Sequence, residues 1–109
     1  MKIEDFDAIV QEELNYCASL LIKKGDEYNK GDVDRLATFK RAATLMECTP
    51  AEALAGMMSK HTMSIYQMIT HPENHYSIEK WTEKITDNIN YLLLLKALIY
   101  ENQEDELNV

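Results

Sequence analysis

This sequence has few of the residues that break helices and few of those that bind nucleic acid. Its 109 residues include 3 glycines, 2 prolines and 2 cysteines, and 11 basic residues stand against 19 acidic ones. Cys17 and Cys48 have no spacing that suggests a zinc motif, and we expect both to be reduced, buried and packed as small hydrophobic residues. The net charge of -8 excludes general binding to the phosphates of nucleic acid, which needs a basic surface.

Long hydrophobic runs are also missing. The longest purely apolar run covers residues 91–95, whereas a helix that crosses a bilayer needs about 20 such residues. The N-terminus begins with Lys2, Glu4 and Asp5 rather than with a basic segment followed by an apolar one, so the sequence has no signal-peptide pattern. We therefore expect a soluble protein of the cytoplasm that binds neither a membrane nor bulk nucleic acid.

What the sequence does contain is a series of apolar residues spaced three and four apart, which is typical of helices. No segment alternates with a period of two over a useful length. These patterns predict an all-α fold, a four-helix antiparallel bundle-like domain with a long, central last helix. We expect residues 1–101 to form a single helical domain and residues 102–109 to form an acidic, polar tail that frays.

The first two helices are predicted to be separated by a glycine-containing loop. Helix 1 is predicted for residues 3–23, and Gly25 suits the left-handed residue just past a helix end. Asp32 is expected to cap helix 2. The apolar spacing predicts a buried face on each helix. The residues of these two faces are Phe6, Ile9, Val10, Leu14, Cys17, Leu20 and Leu21 in helix 1 and Val33, Leu36, Phe39, Ala43 and Met46 in helix 2.

The start of the third helix carries the clearest local signal in the chain. Thr49 is a preferred N-cap residue, Pro50 suits the first helical position, and Glu52 can close a capping box. Helix 3 is expected to end before a turn at residues 71–76, because proline cannot continue a helix. Ser77 is then expected to cap helix 4.

Helix 4, predicted for residues 78–100, organises the rest of the chain. It becomes apolar on all sides near residues 92–95, and such a helix has to be covered on both sides. One stripe is expected to form the core of the monomer: Ile78, Trp81, Ile85, Ile89, Leu92 and Ile99. The opposite stripe is available for another subunit: Asp87, Tyr91, Leu94 and Leu98. We therefore expect a homo-oligomer.

Acidic residues on two helices suggest a metal-dependent alternative. Glu12 and Glu13 are adjacent in helix 1, and Glu83 and Asp87 lie one turn apart in helix 4. Carboxylates on facing helices can hold Mg²⁺, which bridges phosphates and activates water. The motif of helical nucleotide pyrophosphatases is incomplete here, since no third acid follows Glu13 one turn later. A solvated acidic face paired with lysines is the simpler interpretation.

Basic, aromatic and amide side chains suggest a site for a phosphate-bearing ligand. Lysine and arginine neutralise phosphate, serine and asparagine orient it or bind a base edge, and tyrosine can stack on a base. The candidate ligand-binding residues are Tyr28, Arg35, Lys60, His61, Ser64, Asp87, Asn90 and Tyr91. Structural roles compete with this one, since His61 can be a hydrogen-bonded core residue and Asp87 can form a buried ion pair. This interpretation assigns no catalytic residue, cofactor or metal ligand.

Four segments of the chain resemble small helical proteins of bacteriophages and prophages, of the type associated with nucleotide modification. The segments are KGDEY (24–28), RLATFKRAA (35–43), TPAEALAGMMSKHTMSI (49–65) and EKITDNINYLLLLKALI (83–99). The positions that match the short motifs of this group are Lys24 and Tyr28, Met57, Lys60 and His61, and Asp87, Asn90 and Tyr91. The chain is similar, more distantly, to MazG-type all-α nucleoside triphosphate pyrophosphatases. A phage protein of this type is expected in the cytoplasm of the bacterial host.

Three functions of different class follow from these patterns. The first is a binding protein that captures a nucleotide or cyclic nucleotide between subunits and withdraws it, as a signal, from the host's anti-phage defence. The second is a Mg²⁺-dependent nucleotide pyrophosphatase that uses the two pairs of acidic residues in helices 1 and 4. The third is a small structural or adaptor protein without a ligand.

Overall fold

The structure, a computed structural model, describes residues 1–28, 31 and 34–107, and for residues 28 and 104–107 it describes the backbone alone. All regular secondary structure in these ranges is helical, which confirms the all-α class. The elements are α1 (Ile3–Tyr28), α2 (Ala37–Met46), α3 (Pro50–Thr70), a short 3-10 helix (Pro72–Asn74) and α4 (Ile78–Leu107). Helix α3 packs against both α2 and α4, and α1 packs against α4.

Helix α1 continues through Gly25 to Tyr28, so the predicted end at residue 23 is wrong. Gly25 has a packing role instead of a terminating one. A Cβ atom at this position would lie 2.6 Å from Nε of Arg35, so the Arg35 side chain would have to move to make room for it. The glycine costs the helix about 1 kcal/mol relative to alanine, and in return the Arg35 side chain can lie against the helix backbone.

Helix α2 begins later than predicted. Its first residue is Ala37, and the carboxylate of Asp34 accepts a hydrogen bond of 2.9 Å from the backbone N–H of Leu36 just before it. The predicted cap, Asp32, lies outside the described residues, as does Val33. An aspartate that bonds the backbone two residues later makes a turn that competes with the helix.

The end of α2 overturns a second prediction. Glu47 takes up the left-handed conformation at a φ of 54°, and the N–H of Cys48 bonds the carbonyl of Ala43 at 3.0 Å. The helix therefore stops at Met46, whose side chain is exposed and does not belong to the buried face.

The cap predictions for α3 and α4 are confirmed. The Thr49 hydroxyl accepts from the N–H of Glu52 at 3.1 Å, and the Glu52 carboxylate accepts from the N–H of Thr49 at 3.2 Å. The Ser77 hydroxyl accepts from the N–H of Lys80 at 3.1 Å. The 3-10 helix lies inside the predicted turn. These caps depend on residues within a few positions of each other, so local chemistry suffices to place them.

Helix α4 extends to Leu107, beyond the predicted end at Tyr100. The fraying expected of the tail at residues 102–109 stays a prediction. Glu101 forms an ion pair with Lys40 of α2, and Lys40 also bonds Asp34 at 2.6 Å. This three-residue network raises the pKa of Lys40 through the hydrogen bonds from its ammonium group to the two carboxylates. It attaches the last part of α4 to the start of α2.

The core reverses the expected roles of the two stripes of α4. Its central cluster consists of Leu36, Phe39, Leu54 and Leu98. Leu98, expected to face another subunit, is only 2% exposed, and Leu94 packs beside it. The predicted core stripe faces outward, and its exposed members are Ile78, Ile85, Leu92 and Ile99. Two polar residues, Thr86 and Asn90, lie on the buried side, and a pattern of apolar residues could not indicate that.

The predicted buried face of α1 is confirmed only in its second half. Cys17 is buried and Leu20 and Leu21 are half-buried. The side chains of the first half are exposed: Phe6, Ile9, Val10 and Leu14. Farther along α1, the carboxylate of Glu13 accepts a hydrogen bond from the Thr86 hydroxyl of α4 at 2.6 Å. The residues before Glu13 therefore keep an apolar face that the described part of the chain leaves exposed.

Candidate functional site

One cavity lies where the four helices meet, with a volume of about 360 Å³. This volume falls in the lower range of pockets that hold small molecules. Helix α1 and the turn before α2 contribute Leu21, Lys24 and Arg35, and α2 contributes Thr38 and Phe39. Helix α3 contributes Met57, Lys60 and His61, and α4 contributes Asp87, Asn90, Tyr91 and Leu94. All of these residues belong to one chain.

The cavity brings together most of the residues that the sequence singled out for ligand binding. Those that line it are Arg35, Lys60, His61, Asp87, Asn90 and Tyr91. Ser64 is half-buried on α3 and does not line it. Tyr28 is the last residue of α1, and its side chain lies outside the described part of the structure. The expectation that the site lies between subunits stays a prediction.

Asp87 connects α4 to the two neighbouring helices. Its carboxylate lies 3.4 Å from Nζ of Lys24 and 3.5 Å from Nδ1 of His61, and its side chain is 13% exposed. A carboxylate so withdrawn from water needs partners that stabilise its charge. Lys24 supplies that charge from α1, so the pair joins α1 to α4 at the cavity wall.

His61 and Tyr91 form the aromatic part of the wall. Their ring centroids lie 5.0 Å apart at an interplanar angle of 31°. Burial lowers the pKa of His61, the charge of Asp87 acts in the opposite direction, and the nearby lysines lower it further. The ring is therefore mostly neutral at pH 7, and its contact with Asp87 joins a neutral imidazole to a carboxylate.

Contacts with α1 hold the Arg35 side chain in place. Its Nη2 donates to the carbonyl of Leu21 at 3.1 Å, and its Nε and Cδ lie against Gly25. The long side chain thus follows the surface of α1 and keeps its charged end at the cavity. With Lys24 and Lys60, the cavity has three basic side chains against the single acid Asp87. This local positive charge stands out in a chain with a net charge of -8.

Asn90, one of the lining residues, has a buried polar atom without a hydrogen-bond partner among the described residues. The residue is 6% exposed, and its Oδ1 has no hydrogen-bond partner in the described part of the chain. Buried polar atoms are nearly always paired, because an unpaired one costs about 1–3 kcal/mol. A carbonyl-type oxygen in this position can accept a hydrogen bond from an N–H or O–H group of a ligand.

Some of the lining residues could not be recognised from the sequence as candidates for ligand binding. Leu21, Phe39, Met57 and Leu94 are ordinary apolar residues at helical spacing. Lys24 was indicated only by the resemblance to the phage proteins. Its spacing from the buried Cys17 would have been a second signal, since positions seven apart share a helix face, but only if α1 had been predicted to continue past residue 23.

The acidic residues of the pyrophosphatase alternative do not assemble. Glu13 accepts from Thr86 and contacts Cys17, while Glu83 is exposed and pairs with Lys80 at 3.9 Å. Glu12 is exposed, and Asp87 lies in the cavity. Within residues 1–28, 31 and 34–107, no three histidine, cysteine or acidic side chains are grouped so that they could hold a metal ion. The four acids are therefore not grouped as a metal site in the described residues, and the pyrophosphatase alternative stays a prediction.

The two cysteines form no disulfide in this structure. Cys17 is buried, as expected, whereas Cys48 is half-buried. Burial raises the pKa of the Cys17 thiol to about 11, and the neighbouring Glu13 carboxylate contributes in the same direction. Cys17 is therefore a protonated thiol at neutral pH, and it packs as a small hydrophobic residue.

Comparisons with known proteins add no relative to this description. No protein family model, no curated protein and no solved structure matches the chain. The resemblance to phage proteins and to MazG-type enzymes therefore stays a prediction. No helix among the described residues combines the length and the apolar character needed to cross a membrane.

Proposed function

We propose that this protein binds a nucleotide or cyclic nucleotide in the cavity and releases it chemically intact. The observation that carries this proposal is the combination of an unpaired, buried Asn90 oxygen with three basic side chains around one small cavity. The basic groups suit phosphate, and the amide oxygen suits a hydrogen-bond donor on a base or sugar.

The aromatic wall supports the same ligand class. His61 and Tyr91 contact each other at a tilt of 31°, so their outer faces add polarisable aromatic surface beside the basic groups. Bases bind such surfaces with little dependence on sequence, because every base has a π face. A purely inorganic anion would use the basic residues and make no use of the aromatic surface or of the Asn90 oxygen.

Binding is favoured over the pyrophosphatase alternative by the positions of the acids. The four carboxylates that the alternative requires are dispersed, and the one acid in the cavity, Asp87, contacts Lys24 and His61. Capture of a signal from a host's anti-phage defence is part of the proposal, and its support is the resemblance of the sequence to phage helical proteins.

The proposed arrangement of the helices is an antiparallel, homo-oligomeric bundle. The connections from α2 to α3 and from α3 to α4 are short, and short connections favour antiparallel neighbours.

The test is calorimetry of the whole chain against a panel of nucleotides, cyclic mononucleotides and cyclic dinucleotides, with the matching nucleosides as phosphate-free controls. We expect saturable binding of at least one phosphate-bearing member, unaffected by EDTA, and mass spectrometry should recover the ligand unchanged. Equal affinity for a nucleotide and its nucleoside would contradict the role of the basic residues. Release of pyrophosphate would contradict intact binding.

Substitutions in and outside the cavity lining test whether the ligand binds there. Lys60→Gln is expected to weaken binding about tenfold or more, since a hydrogen bond to a charged group contributes about 1.5–3 kcal/mol. Lys80→Gln is the matched control, because Lys80 lies on α4 outside the cavity. Gly25→Ala should weaken binding by displacing Arg35, whereas Gly56→Ala, where an added Cβ meets nothing within 4 Å, should leave binding unchanged.

A further inference from the structure

The outward side of α4 carries an exposed apolar strip with a regular repeat. Ile78, Ile85, Leu92 and Ile99 follow one another at intervals of seven residues. Their exposed fractions are 71%, 41%, 56% and 47%, respectively. A seven-residue repeat keeps apolar residues on one line along a helix and is the pattern of helices that pack lengthwise on a partner. At about 1.5 Å per residue, this strip is about 32 Å long.

The strip lies on the opposite side of α4 from the cavity. Asp87, Asn90 and Tyr91 line the cavity and Leu98 enters the core, whereas the four strip residues point away from both. Covering the strip would therefore leave the cavity wall as it is. The strip and the cavity can be tested separately.

The neighbours of the strip suit association with an identical helix. On a helical wheel, the positions between and beside the strip residues hold Trp81, Asn88, Ile89, Leu95, Lys96 and Tyr100, and none of them is acidic. Lys96 lies over the ring of Tyr100, 5.6 Å from its centroid. In a chain with a net charge of -8, a side of α4 that carries no acid from Ile78 to Tyr100 reduces the repulsion between two copies.

The exposed area of the chain is larger than that of a typical monomer. The chain exposes 8183 Å², whereas a folded monomer of 12.6 kDa is expected to expose about 6,200 Å². Its radius of gyration is 16.5 Å, against about 13 Å for a compact domain of this length. The excess of about 2,000 Å², which the strip shares with the exposed first half of α1, exceeds the roughly 800 Å² that each partner buries in a standard interface.

We propose that a second copy of this chain covers the α4 strip, with α4 packed lengthwise on α4 of the partner. A surface that packs on its own copy about a two-fold axis has to be complementary to itself, and a regular repeat of apolar residues along one helix meets that requirement. The excess area is sufficient for such a dimer. The proposal does not depend on the identity of the ligand.

The test is sedimentation velocity of the whole chain over a wide concentration range. The wild type is expected to sediment at twice the chain mass of 12.6 kDa. Leu92→Glu and, separately, Ile85→Glu should each raise the dimer dissociation constant at least about a hundredfold, because an unpaired carboxylate would be buried in the contact. Leu45→Glu on α2, where the leucine is 86% exposed, is the matched control and should leave the mass unchanged.

Circular dichroism of each variant measures its helix content and shows whether the variant is folded. The fluorescence of the single tryptophan reports the dimer in the wild type and needs no variant. Trp81 lies at the edge of the strip and is half-buried, so its emission should shift to longer wavelength when the wild type is diluted and the dimer separates. A wild type that sediments as a 12.6 kDa monomer at all concentrations would overturn the proposal. A dimer that withstands both strip variants would also overturn it, because the contact would then use another face.

Discussion

The two sides of α4 both carry large apolar residues at helical spacing, and they differ completely in exposure. The inner side carries Thr86, Asn90 and Leu98, all nearly inaccessible to solvent. The outer side carries the exposed strip that includes Leu92. The more polar of the two sides is thus the buried one. The hydrophobic effect favours burial of the apolar surface of a helix. Hydrogen bonds to neighbouring helices can determine which side of that helix is buried within the monomer.

The largest expected effect is a loss of stability when Leu98 on the inner side is truncated, compared with the same truncation of Leu92 on the outer side. Leu98→Ala should lower the free energy of unfolding by about 2–5 kcal/mol, because it opens a space in the core. Leu92→Ala should have little effect in dilute protein and a larger one as the concentration rises. Urea unfolding at two protein concentrations measures both. Equal losses for the two variants in dilute protein would mean that both sides of α4 are covered within one chain.

A smaller effect is expected from the unpaired amide on the inner side. Asn90→Leu removes a buried oxygen without a partner, so the free energy of unfolding should stay the same or rise by about 1 kcal/mol. The same variant should weaken binding of the nucleotide selected from the panel about tenfold. Thermal unfolding and calorimetry on one preparation separate the two quantities. A marked loss of stability would show that Asn90 supports the fold and would remove the argument that its oxygen awaits a ligand.

The smallest effect concerns pH and His61, which packs against Asp87 and Tyr91 on the inner side. Burial lowers the pKa of the folded histidine below its usual 6.5. The unfolded chain therefore binds the proton first, and the contribution of His61 to stability is complete above 6.5 and falls as the pH drops toward the folded pKa. Unfolding by urea across this range should show a shallower loss of stability in His61→Gln. Identical slopes would contradict the buried, neutral histidine.

The parts of the fold that were predictable depend on residues close together in the chain. The capping box at Thr49 and the cap at Ser77 each involve a bond between residues three apart. The end of α1 was not predictable in this way. Gly25 continues the helix, and the side chain of Arg35, from the next segment of the chain, packs against it. The length of α4 beyond Tyr100 similarly depends on the ion pair of Glu101 with Lys40, far away in sequence.

The candidate site was predictable in its membership and less so in its geometry. Arg35, Lys60 and His61 stand out because charged and ring nitrogen groups beside an apolar stripe are uncommon. Ser64 carries similar chemistry but lies on α3 away from the cavity. Lys24 belongs to the cavity because α1 is longer than its glycine suggested. The positions of all these groups depend on how the helices pack, which the spacing along one helix does not specify.

The sequence by itself determined that the chain is helical and where α3 and α4 begin, and it indicated most of the charged and polar side chains that line the cavity. These properties depend on short-range bonds and on the chemistry of single residues. Only the tertiary structure decided that the polar side of α4 is the inner one and that its apolar repeat remains outside. That choice depends on partners such as Glu13 for Thr86 and Lys24 for Asp87, which come from another helix and have no signature in the periodicity of α4.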